Sequence, residues 1–174
     1  MSINRLIGFM LLLFIVEGTI MPWVIPAGYT TRIVPHFVFV VVIFSALYSN
    51  RHRALFLGAG FGLLQDVAYY GHMIGPNLFF MGILGYYTGV LFENKRVTLL
   101  AALSVIGINY ILYDSMMYGI YFAFRITNES FAWALMDHIL PSLFLQLAFA
   151  LLVYVPLRKH LESAVKKKLD KDEQ

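Results

Sequence analysis

The chain of 174 residues contains no cysteine, and only 13% of its residues are charged. Without cysteine there can be no disulfide, no thiolate metal site and no cysteine nucleophile. Soluble domains carry about 25% charged residues, so the small charged fraction argues against a soluble fold. Apolar residues dominate instead, at 60% of the chain with a mean hydropathy of +0.73. These values predict one domain built almost wholly from membrane-crossing segments.

The placement of the basic residues argues against a nucleic-acid partner. The sequence pI is about 9.1, but lysine and arginine occur in short loops and near the carboxyl end. They do not form a stripe interleaved with aromatic residues, which is the usual footprint of a nucleic-acid surface. We therefore expect these residues to meet the lipid bilayer and no nucleic acid.

Six apolar segments are predicted to cross the membrane as helices of roughly 30 Å. Even the β-branched run at 37–44 is predicted to be helical, because an open strand in lipid would leave its backbone unpaired. The predicted helices cover 6–25, 34–48, 54–71, 76–92, 97–124, and a last one from Trp133 or Asp137 to Leu157. The sequence thus predicts an all-α, polytopic (multi-pass) protein of the cell membrane.

Prolines and polar residues mark where these helices should end or bend. Pro22 and Pro26 are expected to end or bend the first helix, and Pro35 to lie in the first turn of the second. Pro141 is expected to kink the sixth. The expected irregular points of the fifth are Gly107, Asn109, Asp114 and Gly119. A polar loop is predicted at 125–130.

The distribution of lysine and arginine predicts the orientation. With six spans and the amino terminus inside, 11 of the 13 lysine and arginine residues lie on the inner side. The positive-inside rule therefore predicts cytoplasmic termini at both ends. Residues 1–157 form the predicted transmembrane domain and 158–174 a basic cytoplasmic tail. The basic residues of this tail include Arg158, Lys159, Lys166, Lys167 and Lys168.

The tail has two open interpretations. Its apolar residues recur every four positions beside the lysines, which favours a helix lying along the inner membrane surface. Attraction to anionic lipid contributes roughly 1 kcal/mol per cation near the surface. The alternative is a docking site for a cytoplasmic partner.

Glycines recur at spacings of four in the segment around which the other helices are expected to pack, 53–89. Gly58 and Gly62 share one face of the third helix, and Gly85 and Gly89 share one face of the fourth. Small residues at this spacing let another helix backbone approach closely. We therefore interpret both faces as candidate contacts for a partner transmembrane helix.

Acidic residues lie at mid-depth of the predicted spans or outward of it. A charge near the bilayer centre costs on the order of 3 kcal/mol, so such residues are candidates for function. Their positions predict a polar recess that opens outward and could hold a ligand or a partner segment. The recess residues are Glu17, Gln65, Asp66, Asn109 and Asp114. The alternatives are structural contacts between helices for Glu17 and Asp66, and simple hydration for Asp114.

The sequence offers no catalytic or metal-binding pattern. Tyr113-Asp114 lacks the companion Gly-x-Gly-Asp that a presenilin-like aspartyl protease needs, and no Gly-x-Ser-x-Gly motif is present. His72 lies six residues from Asp66, which places the two on different helix faces. Asp137 is read as an acid at a helix start. We therefore expect no enzyme activity, no metal and no cofactor.

Several motifs together resemble the MreD family of rod shape-determining proteins, in its bacillus-type form. They are Val34-Pro35-His36-Phe37 at the second helix, a basic inner turn, GxxxGLLxD from Gly58 to Asp66, and the turn Gly75-Pro76-Asn77. The resemblance extends to the six-span layout and the basic carboxyl end.

The resemblance implies a non-enzymatic scaffold of the cell-elongation machinery that supports peptidoglycan synthesis. It implies a single-span MreC-type partner and, through it, MreB, RodA and a class B penicillin-binding protein. It also implies an architecture similar to the substrate-binding subunits of energy-coupling-factor vitamin transporters. A small-molecule transporter subunit is therefore the alternative function. Residues 6–20 lack small residues at every fourth position, which weighs against it.

Overall fold

The computed structural model of the protein describes residues 3–26, 33–69, 73–92, 95 and 97–172, with side chains up to residue 159. Throughout these ranges the chain is helical or irregular, without a strand. The six helices are α1 (Ile3–Val24), α2 (Phe37–Tyr48), α3 (Arg51–Ala68), α4 (Pro76–Phe92), α5 (Leu99–Ala123) and α6 (131–172).

Helix α2 is the centre of the molecule. All twelve of its residues are buried, because α2 packs against each of the other five helices. Phe37 stacks on Phe149 of α6 at 4.2 Å between ring centroids, and Phe39 stacks on Tyr113 of α5 at 4.8 Å. A helix that is apolar on every face is stable only when it is enclosed in this way or surrounded by lipid.

Helices α3 and α4 form the tightest pair. A Cβ atom added to Gly62 would lie 2.5 Å from the carbonyl oxygen of Asn77, and one added to Gly58 would lie 2.5 Å from that of Met81. A Cβ on Gly89 would lie 2.7 Å from the Cα atom of Arg51. The glycines therefore allow backbone-to-backbone contact between the two helices.

Helices α1 and α6 each contain one π-helical turn, at Val16–Ile20 and Leu135–Ile139. Both turns end two residues before a proline, Pro22 in α1 and Pro141 in α6. Proline cannot donate a backbone hydrogen bond and its ring crowds the carbonyl four residues earlier, so a wider turn relieves the clash. At Pro141, where a kink is predicted, α6 has a π turn directly before the proline, and α1 ends two residues after Pro22 as predicted.

The predicted start of α2 at Val34 is wrong, because the helix begins at Phe37 and Pro35 precedes it. The N–H of Val34 donates to Ser142 Oγ at 3.0 Å, and its carbonyl accepts from Gln146 Nε2 at 3.1 Å. These two bonds to α6 hold the segment before α2 outside the helix.

The predicted starts of α3 and α6 are also corrected. Helix α3 begins at Arg51, because the side chain of Asn50 accepts the N–H of His52 at 2.9 Å and caps it. It ends at Ala68, and the predicted end at Gly71 lies outside the described residues. Helix α6 begins at Phe131, capped by Ser130, so Asp137 lies in the π turn rather than at the helix start.

Of the remaining predictions, some agree with the structure, but the end of the sixth helix at Leu157 is wrong, because α6 continues to Asp172. Helix α4 covers Pro76–Phe92 as predicted, and the loop before α6 is irregular. Helix α5 is continuous from Leu99 to Ala123, so the expected breaks at Gly107, Asn109, Asp114 and Gly119 are wrong. The amide of Asn109 donates to the carbonyl of Val105 at 2.9 Å, which keeps this polar side chain within the helix ladder.

Within the described part of the chain, three helices are long and apolar enough to cross a membrane: α1, α5 and the Phe131–Lys159 part of α6. Helices α2 and α4 are apolar but shorter. The twelve residues of α2 span about 18 Å at the helical rise, less than the thickness of the hydrocarbon layer. The irregular segment before α2 bonds to α6, which satisfies backbone groups of Val34.

Candidate functional site

Asp66 binds the start of α4 with both of its carboxylate oxygens. Oδ2 accepts the backbone N–H groups of Gly75 at 3.0 Å and Leu78 at 3.2 Å, and Oδ1 accepts that of Asn77 at 3.3 Å. The side chain is 3% exposed. A carboxylate at this position meets the free N–H groups and the positive end of the helix dipole, so Asp66 stabilises the start of α4.

The turn before α4 arranges these donors. Gly75 has φ +120°, a conformation that residues with a side chain rarely adopt. Pro76 follows at the first helical position, where its missing N–H costs nothing. The N–H groups on either side of the proline can therefore converge on one carboxylate.

Glu17 plays a similar part at the start of α2. Oε1 accepts the backbone N–H of Val38 at 2.8 Å, and Oε2 accepts Nε2 of Gln65 at 3.1 Å. Glu17 is 4% exposed and lies in the π turn of α1. Since Gln65 precedes Asp66 in α3, one amide side chain links the two helix starts.

Tyr113 of α5 completes this group. Its hydroxyl donates to the side-chain oxygen of Asn77, next to the residues that Asp66 caps. The ring of His36 packs edge-on against it at 5.3 Å. We name Glu17, His36, Gln65, Asp66, Asn77 and Tyr113 the polar cluster.

The structure brings together three of the five residues predicted to line a recess: Glu17, Gln65 and Asp66. Asp114 is half-buried beside Tyr110, near the cluster but not bonded to it. Asn109 lies one turn away and accepts the hydroxyl of Thr88 at 3.0 Å. Asp66 and Gln65 are bonded within the protein, so they serve as contacts between helices.

A partly open cavity of about 320 Å³ lies beside the cluster. Glu17 is the one predicted recess residue that lines it. The other lining residues are Gly18, Pro22, Ile25, Ile33, Val34, Pro35, His36 and Tyr69. We name this space the Glu17 cavity.

The four predicted contact glycines are occupied within the chain. Gly58 and Gly62 face the backbone of α4. Gly85 meets Val42 of α2 and Ala54 of α3, and Gly89 meets Arg51 of α3. The spacing correctly indicates a close helix contact, but both faces are covered by the α3–α4 pair itself. They are therefore not free to receive a separate helix.

The tail can be placed only in part. Arg158 donates to the hydroxyl of Tyr154 at 2.8 Å and lies 6.0 Å from the ring centroid of Tyr48. Lys159 is exposed. The backbone continues as a helix to Asp172, but the side chains of Lys166, Lys167 and Lys168 lie outside the described part of the structure.

Sequence reasoning missed His36, Asn77 and Tyr113 as members of the cluster, and Gln146 and Ser142 as anchors of the segment before α2. Ser142 and Gln146 did carry a signal, because they are the polar residues of an apolar run and lie four apart on one face. Among the described residues no group of three histidine or acidic side chains could hold a metal ion.

Comparison with known proteins agrees with the resemblance in the motifs. Rod shape-determining protein MreD of Bacillus subtilis (strain 168) is 24% identical over 136 residues, which cover 78% of each chain. No solved structure matches the chain. The model of the family described as rod shape-determining protein MreD matches residues 2–164, nearly the whole sequence. The chain therefore belongs to the MreD family, as a helical membrane protein with a role in rod shape determination.

Proposed function

We propose that the protein is a non-enzymatic, six-span scaffold of the cell membrane that holds the transmembrane helix of an MreC-type partner. Both of its ends are cytoplasmic, as the distribution of lysine and arginine favours. Through this partner it acts with MreB, RodA and a class B penicillin-binding protein in peptidoglycan synthesis during elongation. Family membership supports the cellular role, and the surface of the helices supports the mode of binding.

The observation that carries the proposal is an apolar groove of about 300 Å³ between α1 and α3. Ile7 and Leu11 line it from α1, while Phe56, Gly60 and Leu64 line it from α3. A Cβ added to Gly60 would have no atom within 4 Å, so the floor of the groove is open. Acyl chains are as apolar as leucine, so apolar character alone does not bring two helices together in lipid. Close packing of the kind this groove allows does.

The occupant that fits this groove is one apolar helix. Its lining contains no charged or hydrogen-bonding side chain, so a polar or cytoplasmic segment would lose its hydrogen bonds there. The glycines of α3 and α4, by contrast, are already covered. A single-span partner offers the matching chemistry.

The polar cluster supports a static role. The bonds of Glu17, Gln65, Asp66 and Asn77 run between helices of the same chain. A buried network of hydrogen bonds between helices rigidifies the fold around it. Such a network suits a scaffold that fixes the orientation of a partner helix.

The test is co-purification of an MreC-type protein with the Gly60→Leu variant. Leucine would fill the groove, so we expect at least a tenfold loss of co-purified partner. Gly119→Leu is the matched control, because a Cβ at Gly119 also meets no atom within 4 Å but lies on α5, away from the groove. Equal retention of the partner by both variants would contradict the proposed groove.

A further inference from the structure

The Glu17 cavity has the features of a binding site that the scaffold role does not use. Its volume of about 320 Å³ lies at the small end of the range for ligand pockets, which runs from about 300 to 1,000 Å³. Most of its wall is apolar, from Pro22, Ile25, Ile33, Val34 and Pro35. The polar side chains in its lining are Glu17, His36 and Tyr69.

The Glu17 carboxylate and the imidazole of His36 can each accept a further hydrogen bond. A carboxylate can accept about four, and the Glu17 carboxylate accepts from the N–H of Val38 and from Nε2 of Gln65. The buried Nδ1 atom of His36 has no hydrogen-bond partner among the described residues. In the neutral ring with its proton on Nε2, Nδ1 is an acceptor. Because two hydrogen-bond acceptors lie beside one cavity, we expect a ligand that donates hydrogen bonds.

The carboxylate also favours a cation. Buried carboxylates are usually paired with a positive group. Within the ranges that the structure describes, the hydrogen-bond donors to Glu17 are one backbone N–H group and one neutral amide, not a lysine or arginine. A helix start offsets only about half a charge.

We propose that the Glu17 cavity binds a primary ammonium group carried on a small apolar body. The ammonium donates to Glu17 and to His36 Nδ1, and the apolar body packs against Ile25, Ile33 and Val34. The source is either a free amine or the ethanolamine headgroup of a lipid. The inference is independent of the groove between α1 and α3, since the two surfaces share no lining residue.

The test measures benzylammonium binding to the full chain in nanodiscs made only of phosphatidylglycerol, by equilibrium dialysis. Benzyl alcohol, which has the same ring without the charge, should bind at least tenfold more weakly. Glu17→Gln keeps the volume and an acceptor for Val38 but removes the charge, so it should lower benzylammonium affinity at least tenfold. Asp66→Asn is the matched control, because it removes a buried carboxylate that does not line the cavity.

Photolabelling with a diazirine-substituted benzylammonium provides a test that does not depend on variants. Labels should map to Ile25, Ile33 or Val34, and Ile33→Trp, which fills the cavity, should abolish them. Labelling elsewhere, or equal affinity for benzyl alcohol, would overturn the proposal. Binding seen only in Arg32→Gln would also overturn it, because a guanidinium of the chain itself would then be the occupant. Loss of binding in phosphatidylethanolamine nanodiscs would identify the lipid headgroup as the source, and retained binding a free amine.

Discussion

Two pairs of consecutive helices, α3–α4 and α1–α2, are each held by a capping carboxylate, but the first pair is packed more closely. We call the contact within each pair a joint. At the α3–α4 joint, Asp66 accepts three backbone N–H groups, and the glycines below it bring the two backbones into contact. At the α1–α2 joint, Glu17 accepts the N–H of Val38 and one amide side chain, and a cavity lies beside it. An acid from the preceding helix caps the next helix in both.

The difference shows that a buried acid in a membrane helix does not by itself indicate a binding site. Asp66 accepts three backbone N–H groups and does not line the cavity. Glu17 accepts one backbone N–H group and one amide, and it also lines the Glu17 cavity. The transporter alternative has no support from the comparisons, and Asp66 cannot serve it while it caps α4. Four substitutions would sharpen this contrast, each measured as the free energy of unfolding in mixed micelles with increasing SDS.

Asp66→Ala should have the largest effect. It leaves three backbone N–H groups without their acceptor at the start of α4, so we expect a loss of about 3 kcal/mol. Asp66→Asn, which keeps one oxygen, should lose about half as much. A loss below about 1 kcal/mol in the alanine variant would mean that water replaces the carboxylate.

Gly62→Ala should cost about 2 kcal/mol, because its Cβ would meet the backbone of Asn77 and Leu78 and force α3 and α4 apart. Gly60→Ala is the control on the same helix, where the new methyl meets open space. Alanine favours helix over glycine, so this control should be neutral or stabilising. Equal losses in both would contradict the close contact.

Glu17→Gln should cost about 1 kcal/mol. Its remaining oxygen can still accept the N–H of Val38, and what is lost is the charge at the start of α2. A loss as large as that of Asp66→Ala would show that the α1–α2 joint is as tight as the other.

Gly18→Ala should have the smallest effect, within about 0.5 kcal/mol. Its Cβ would come within 2.7 Å of the Tyr69 ring, but that contact is the end of a side chain that can turn. The hydroxyl of Tyr69 binds the carbonyl of Phe14 at 2.9 Å, and the variant should weaken this bond. Unfolding of the variant on purification would show that the ring is locked in place.

Local signals predicted part of this architecture well. The bounds of α4 follow from Gly75-Pro76 at its start, and the close contact of α3 with α4 follows from glycines four apart. The spacing of the glycines predicts that another helix backbone lies close. It does not show whether that helix belongs to the same chain or to a partner.

The errors arise from contacts between residues far apart in sequence. The start of α2 is set by bonds from Val34 to Ser142 and Gln146, which lie more than 100 residues later. The donors to Asp66 are backbone groups, which no residue type reveals. The polar cluster was found only in part for the same reason, since His36 and Tyr113 meet it through tertiary packing.

The enclosure of α2 by all five other helices has a consequence for biogenesis. Residues 37–48 leave the ribosome before α4, α5 and α6 exist, so the innermost part of the fold is made long before its cover. At about 18 Å the segment is too short to settle across the bilayer by itself. We therefore expect α2 to reach its final position only after the carboxyl-terminal half has been made, rather than helix by helix in the order of synthesis.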